Sequence, residues 1–197
     1  HDQALRGSGL SWSPTGDRLL FSMTSGNRVD IAVYSTTENS MSNLTGIETF
    51  EYHANPVWSP DGQTIAFVSS QSIDSMEATV TEMDVSGGNR REISSPLSRY
   101  PAWLSVSWSP DAQSLIVTET ENNTSRLLVI DVASGVERTL ILGERLLSSP
   151  RWANSQTIIY QSNTGPIGSV YEADLNGNIV RSLSAGIPVR SFDYWSM

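Results

Sequence analysis

Cysteine is absent from the 197 residues, and so is lysine. The first absence removes disulfides, thiolate metal centres and a cysteine nucleophile. It leaves the compartment open, since a chain without cysteine suits either redox environment. The second means that all twelve basic residues are arginine. It excludes a phosphate-loop lysine, a Schiff-base lysine and a lysine general base. Basic clusters are missing too: Arg90-Arg91 is the only adjacent pair, in a chain of net charge −9. Nucleic acid needs clustered cations to displace its counterions, so it is excluded as a partner, and an anionic membrane surface is disfavoured. No apolar run approaches the roughly 20 residues of a transmembrane helix. Leu127-Leu128-Val129-Ile130 is typical of the longest runs.

Histidine is nearly absent as well, with His1 at the terminus and His53 the only internal copy. A catalytic triad needs a base, a nucleophile and an orienting acid. The sequence carries neither a Gly-x-Ser-x-Gly elbow nor a His-Glu-x-x-His pair. No cofactor motif or metal-ligand spacing is present; Asp174-Leu-Asn-Gly-Asn178 resembles a calcium loop only loosely, because its glycine comes too early. The expectation is a chain without catalytic residues, cofactor or metal.

What is present is a repeat. Four segments align: Leu10-Ser-Trp-Ser-Pro-Thr-Gly-Asp-Arg-Leu-Leu-Phe21, Val57-Trp-Ser-Pro-Asp-Gly-Gln-Thr-Ile-Ala-Phe-Val68, Ser107-Trp-Ser-Pro-Asp-Ala-Gln-Ser-Leu-Ile-Val117 and Arg151-Trp-Ala-Asn-Ser-Gln-Thr-Ile-Ile-Tyr160. Ser191-Phe-Asp-Tyr-Trp-Ser196 reads as the opening of a fifth. The anchors are Trp12, Trp58, Trp108, Trp152 and Trp195. A period of roughly 40 to 50 residues built from short strands marks the four-stranded blades of a β-propeller.

Each unit has a mechanical reading. A short strand ends at Trp, and a tight turn follows. Pro presets φ, Asp61 or Asp111 bonds back to the backbone, and Gly62 accepts a left-handed conformation. Ala112 stands where the glycine should be, at a cost of about 1 kcal/mol if that position needs positive φ. The fourth unit is shorter, and Asn154 is expected to take the special angle there. An apolar second strand comes next. The third strand is expected at 30–34, 78–85, 127–132 and 170–175, and a polar fourth strand closes each unit. The expected architecture is all-β, one propeller domain over 1–197. Its blades are placed at 10–54, 55–104, 105–149 and 150–189, with the first strand of another at 190–197, as part of a larger ring; a compact four-bladed ring is the alternative. The repeated Trp should pack between neighbouring blades, where a buried indole contributes a large apolar area.

Trp-Ser-Pro-Asp-Gly followed by an apolar strand, with Asp-x-x-Gly turns later in the unit, resembles the TolB-type class of propeller repeats, relatives of the WD-repeat propellers. Residues 58 to 62 match fully, 12 to 16 match except for Thr15, 108 to 111 match up to Ala112, and the fourth unit keeps only Trp152. The resemblance implies a bacterial, periplasmic or surface protein that binds other proteins, often beside a membrane complex. Similar propellers also precede the catalytic domain of prolyl-oligopeptidase-like serine peptidases, where they gate substrate entry; that is the alternative. A lectin-like use of the channel is a third, weaker option.

Two connections into first strands hold residue types enriched at interface cores: Phe50, Tyr52 and His53, and Arg99, Tyr100 and Trp103. They read equally well as caps on blade ends. Glu119 with Glu121, and Glu82 with Asp84, lie on common strand sides. These pairs are expected to be solvated faces, not an acid–base couple.

Overall fold

The computed structural model describes residues 9–26, 28–46, 51–72, 74–98, 104–121, 124–143, 147–162 and 169–184. Among them every regular element is a β-strand. The chain forms two compact units, residues 1–104 and 105–197. The first blade of the first unit comprises β1 (Ser11–Trp12), β2 (Arg18–Ser25), β3 (Arg28–Ser35) and β4 (Ser40–Asn43). The second comprises β5 (Tyr52–Trp58), β6 (Thr64–Ser70), β7 (Glu77–Asp84) and β8 (Arg91–Glu92), with β9 (Leu97–Ser98) also pairing to β7. In the second unit, β10 (Val106–Trp108), β11 (Ser114–Glu121), β12 (Thr124–Asp131) and β13 (Glu137–Gly143) form the third blade. The fourth is β14 (Leu147–Trp152), β15 (Thr157–Ser162), β16 (Ser169–Asp174) and β17 (Ile179–Ser182). Neighbours within a blade are antiparallel. The inner strands β5 and β14 begin three residues before the expected blade boundaries at 55 and 150. The opening of a further blade at 190–197, with Trp195, lies outside the described residues.

The turn after each Trp forms as its residues dictate. Asp61 Oδ1 accepts from Ser59 Oγ at 2.6 Å and from the Gln63 amide at 3.0 Å. Asp111 repeats this with Ser109 at 2.6 Å and Gln113 at 3.0 Å. Where Thr15 replaces that aspartate, Asp17 accepts from the hydroxyls of Ser13 and Thr15 instead. Gly16, Gly62 and Ala112 have φ of 74°, 71° and 57°. The glycine position therefore demands the left-handed region, and Ala112 bears the steric cost. Asn154 departs from expectation: it is not among the positive-φ residues. Its side-chain oxygen instead accepts from the amides of Gln156 and Thr157, so the shorter turn is held by an Asx cap and needs no special angle.

The blades alternate in construction. In the second and fourth, the inner strand carries a bulge, between Ala54 and Val57 and between Ser148 and Arg151. Asn55 and Ser149, each with φ of 52° and each followed by proline, sit at those bulges. On the third strand of the same blades, Glu82 lies opposite Arg91 and pairs with it at 2.8 Å, while Glu172 lies opposite Arg181 and pairs at 2.6 Å. Their next turn is anchored by Asn89 Nδ2 donating to Asp84 and Asn178 Nδ2 donating to Asp174. Gly9, three residues before Trp12, shares the positive φ of Asn55 and Ser149. The first and third blades carry Val33 and Val129 where the others carry glutamate.

That substitution matters for packing inside each unit. Val33 joins Leu20, Ile31 and Leu44 of the first blade against Trp58, Ile65, Phe67 and Met83 of the second. Val129 joins Ile116, Leu127 and Leu140 of the third blade against Trp152, Ile158, Tyr160 and Ala173 of the fourth. A Cβ on Gly87 would lie 2.5 Å from the Leu44 carbonyl oxygen, and one on Gly177 would crowd that of Leu140 more closely still. Only glycine lets the turn of one blade touch the outer strand of the blade before it.

Candidate functional site

A buried polar region lies where the first two blades meet. A single parallel bridge, Val29 to Tyr52, sets the start of β5 beside the start of β3. Asp30 is buried there, holding Arg28 at 2.5 Å, Asn43 Nδ2 at 3.0 Å and Thr45 Oγ1 at 3.3 Å. Arg28 also donates to the Gly46 carbonyl at 2.7 Å. His53 follows on β5 with only 3% of its surface exposed. Its Nε2 lies 3.1 Å from a Glu51 carboxylate oxygen, and its ring stands edge-on to Phe67 with centroids 5.3 Å apart.

Burial pushes the His53 pKa below its ordinary value of 6.5; Glu51 and Asp30 oppose that shift and Arg90 reinforces it. A neutral imidazole then donates from Nε2 to Glu51, which leaves Nδ1 as a buried acceptor with no donor facing it. Ser69 stands opposite His53 in the β5–β6 register. A relay would need its hydroxyl on the imidazole, and Nδ1 has no partner, so serine, histidine and glutamate are not wired together. Beside them, Glu51, Ser70, Gln71, Glu77, Thr79 and Glu92 help line an open depression of about 360 Å³.

Several other carboxylates are engaged within their own blades. Hydrogen bonds from Ser59 and Ser109 lower the pKa of Asp61 and Asp111, those from Thr15, Ser134 and Asn178 lower Asp17, Asp131 and Asp174, and the Thr157 hydroxyl, with Arg181, lowers Glu172. Glu119 corrects the expectation of a solvated face: it is buried and paired with Arg126. The loop at Asp174 spends its carboxylate on the Asn176 and Asn178 amides and the Asn178 side chain. Among the described residues no three acidic or histidine side chains group as metal ligands.

A family model described as the TolB beta propeller domain matches residues 6–197. The chain belongs to the TolB beta propeller family. Its backbone superposes on the putative TolB of Agrobacterium tumefaciens with a TM-score of 0.70 and 23% identity, covering 87% of this chain and 59% of that one. With TolB of Acinetobacter baumannii the TM-score is 0.69 at 19% identity, covering 89% and 42%. In sequence, 65 residues are 38% identical to the uncharacterized peptidase YuxL of Bacillus subtilis (strain 168), covering 32% of this chain and 9% of that protein. The chain thus spans less than two thirds of the length of each of these relatives.

In this TolB-family chain the residues singled out from sequence separate. Tyr52 and His53 come together on β5, but both are buried and present no ring to solvent. The interface expectation is corrected for these two: they are consecutive on β5, so they point to opposite faces of the strand, and both faces are covered there. Phe50, Arg99, Tyr100 and Trp103 lie outside the described residues. Trp58, Trp108 and Trp152 are each 7% exposed, as the repeat requires, whereas Trp12 is 52% exposed. Trp58 also donates its indole N–H to the Ser11 carbonyl at 3.1 Å, while that of Trp152 is buried without a partner. Asp30, Arg28 and Glu51 escaped the sequence reading; their only signal was charge beside an apolar strand, which is common on exposed faces.

Proposed function

We propose that this chain is a non-catalytic, protein-binding propeller that works outside the cytoplasm, as a subunit of a membrane-associated complex. The observation that carries the reading is the use of the acidic side chains. Asp61, Asp111, Glu82, Glu119 and Glu172 are turn anchors or ion-pair partners inside their own blades. Membership of the TolB family supports an extracytoplasmic interaction role. The contact surface in this reading is formed by Phe50, Arg99, Tyr100 and Trp103.

A photo-crosslinker placed at position 100 in cells, with the captured protein identified by mass spectrometry, tests it. One envelope protein should be captured, and Trp103→Ala should abolish the crosslink without lowering the thermal transition. A parallel loss of folding would make Trp103 a core residue and remove the proposed surface.

The second reading is a substrate-gating propeller of a serine peptidase. It is favoured by the 38% identity to a peptidase over 65 residues. A fluorophosphonate probe separates the two. Labelling of the natural polypeptide would establish the gate, and its absence beside a specific crosslink would favour the scaffold.

A further inference from the structure

Two buried polar groups of the second blade reach no hydrogen-bond partner: Nδ1 of His53 and the hydroxyl of Thr81. His53 is 3% exposed and Thr81 6%. The strand register places both on one face of the blade. His53 stands opposite Ser69, Ser69 opposite Thr79, and Thr81 opposite Glu92. Residues opposite each other in an antiparallel pair project to the same face, and so do residues two apart along one strand. Ser69, Thr79 and Glu92 also line the open depression of about 360 Å³. The two orphaned groups are therefore set among its lining residues and turned to the side on which it opens. A buried polar atom costs stability unless something pairs with it, so two on one face of a depression call for an occupant.

The surroundings say which occupant. Glu51, Glu77 and Glu92 bring three carboxylates to the depression, Gln71 brings a side-chain carbonyl, and among its described lining residues none is basic. The Glu51 carboxylate that lines it also accepts from Nε2 of His53. Burial holds the imidazole below its ordinary pKa, so at neutral pH Nδ1 is one more acceptor. Arg90, the cation that acts on this imidazole, is turned away to the carbonyls of Gly87 and Leu44. The site is thus rich in acceptors and negative charge and poor in fixed donors.

We propose that this depression binds an organic cation bearing N–H donors, a primary ammonium or a guanidinium, which donates to His53 Nδ1 and the Thr81 hydroxyl while Glu77 and Glu92 hold its charge. The volume suits a ligand the size of one side chain. A bare metal ion does not fit, because among the described residues no three acidic or histidine side chains group as ligands. The chemistry is the same for a free amine and for a lysine or arginine side chain of a bound protein, and it holds whichever of the two functional readings is right.

Calorimetric titration of the whole chain at neutral pH and low salt tests this with four probes. Putrescine stands for a free amine, the N-acetyl amides of lysine and arginine stand for protein side chains, and tetramethylammonium carries the charge without an N–H. At least one N–H cation should bind about tenfold more tightly than tetramethylammonium, as expected of hydrogen bonds that involve a charged group. Preference for putrescine would assign a free amine, and preference for a blocked amino acid would assign a partner's side chain. Glu77→Gln and Glu92→Gln should each weaken binding about threefold, as exposed charges do. Thr81→Val should weaken it about tenfold and leave the thermal transition unchanged or raised, since it removes an unpaired buried hydroxyl. Absence of binding by all three N–H probes would overturn the proposal, and so would equal binding of tetramethylammonium. An affinity unmoved by Thr81→Val, or a lowered thermal transition in that variant, would overturn it as well, because the hydroxyl would then serve the fold and not a ligand.

Discussion

Trp12 and Trp58 begin the same Trp-Ser-Pro motif on the same strand of neighbouring blades, yet one is half in water and the other is buried. Nothing local separates them. Both end an inner strand, and both precede a turn with a left-handed residue at 74° or 71°. The difference is that Trp58 shares a buried cluster with Leu20, Ile31 and Leu44 of the blade before it, whereas Trp12 is 52% exposed. The repeat motif therefore specifies an interface and not a site: its energy is realised only when the next copy arrives, as in other repeat proteins.

The largest test of that comparison is to delete both indoles. Trp58→Ala should cost about 3–5 kcal/mol, the usual loss for a buried aromatic. Trp12→Ala should stay within about 0.5 kcal/mol in the 197-residue chain, as surface changes do. Chemical denaturation measures both, and equal losses would break the comparison. Next in size are Gly87→Ala and Gly177→Ala. Each forces a Cβ onto the carbonyl of Leu44 or Leu140 and holds alanine at positive φ, so each should lose about 2–3 kcal/mol by thermal unfolding. Gly16→Ala keeps the positive φ but meets nothing within 4 Å. It should lose about 1 kcal/mol, which isolates the blade contact from the backbone term. The reverse change, Ala112→Gly, should gain up to about 1 kcal/mol.

The smallest effect is a pH dependence that reports the seam between the first two blades. Burial depresses the His53 pKa, so the unfolded chain takes up that proton first, near the ordinary 6.5. Stability is then fully present above about pH 6.5 and is lost as pH falls toward the depressed value. The turn aspartates are also depressed, but from 3.8, so their contribution holds until pH drops below that range. The stability of wild type should fall from pH 7 to 5, whereas that of His53→Gln should be nearly flat over that window. A parallel slope in the variant would mean that the imidazole is not sealed in the seam.

Much of the blade was legible because its signals are local. Ser-Pro-Asp-Gly, an apolar run and an Asp-x-x-Gly turn each act within a few residues, so turns and strands fell where the pattern put them. Asn154 was misread because two turn chemistries, a left-handed angle and an Asx cap, use the same residue. Glu119 was misread because alternation places a side chain on a face without saying what covers it. Tyr52 and His53 have the composition of an interface, but their burial depends on the bulge at Asn55 and Pro56 and on the bridge to Val29.

The sequence by itself determined the repeat and its turns, since these rest on φ preferences, proline and short hydrogen bonds along the chain. Only the tertiary structure decided which indoles are buried, which carboxylates are paired and which faces stay open. Burial of Trp58 and Trp152 belongs to clusters shared with the blade before, and pairing belongs to strands that face each other, so neither is set by the residues next to them in the chain.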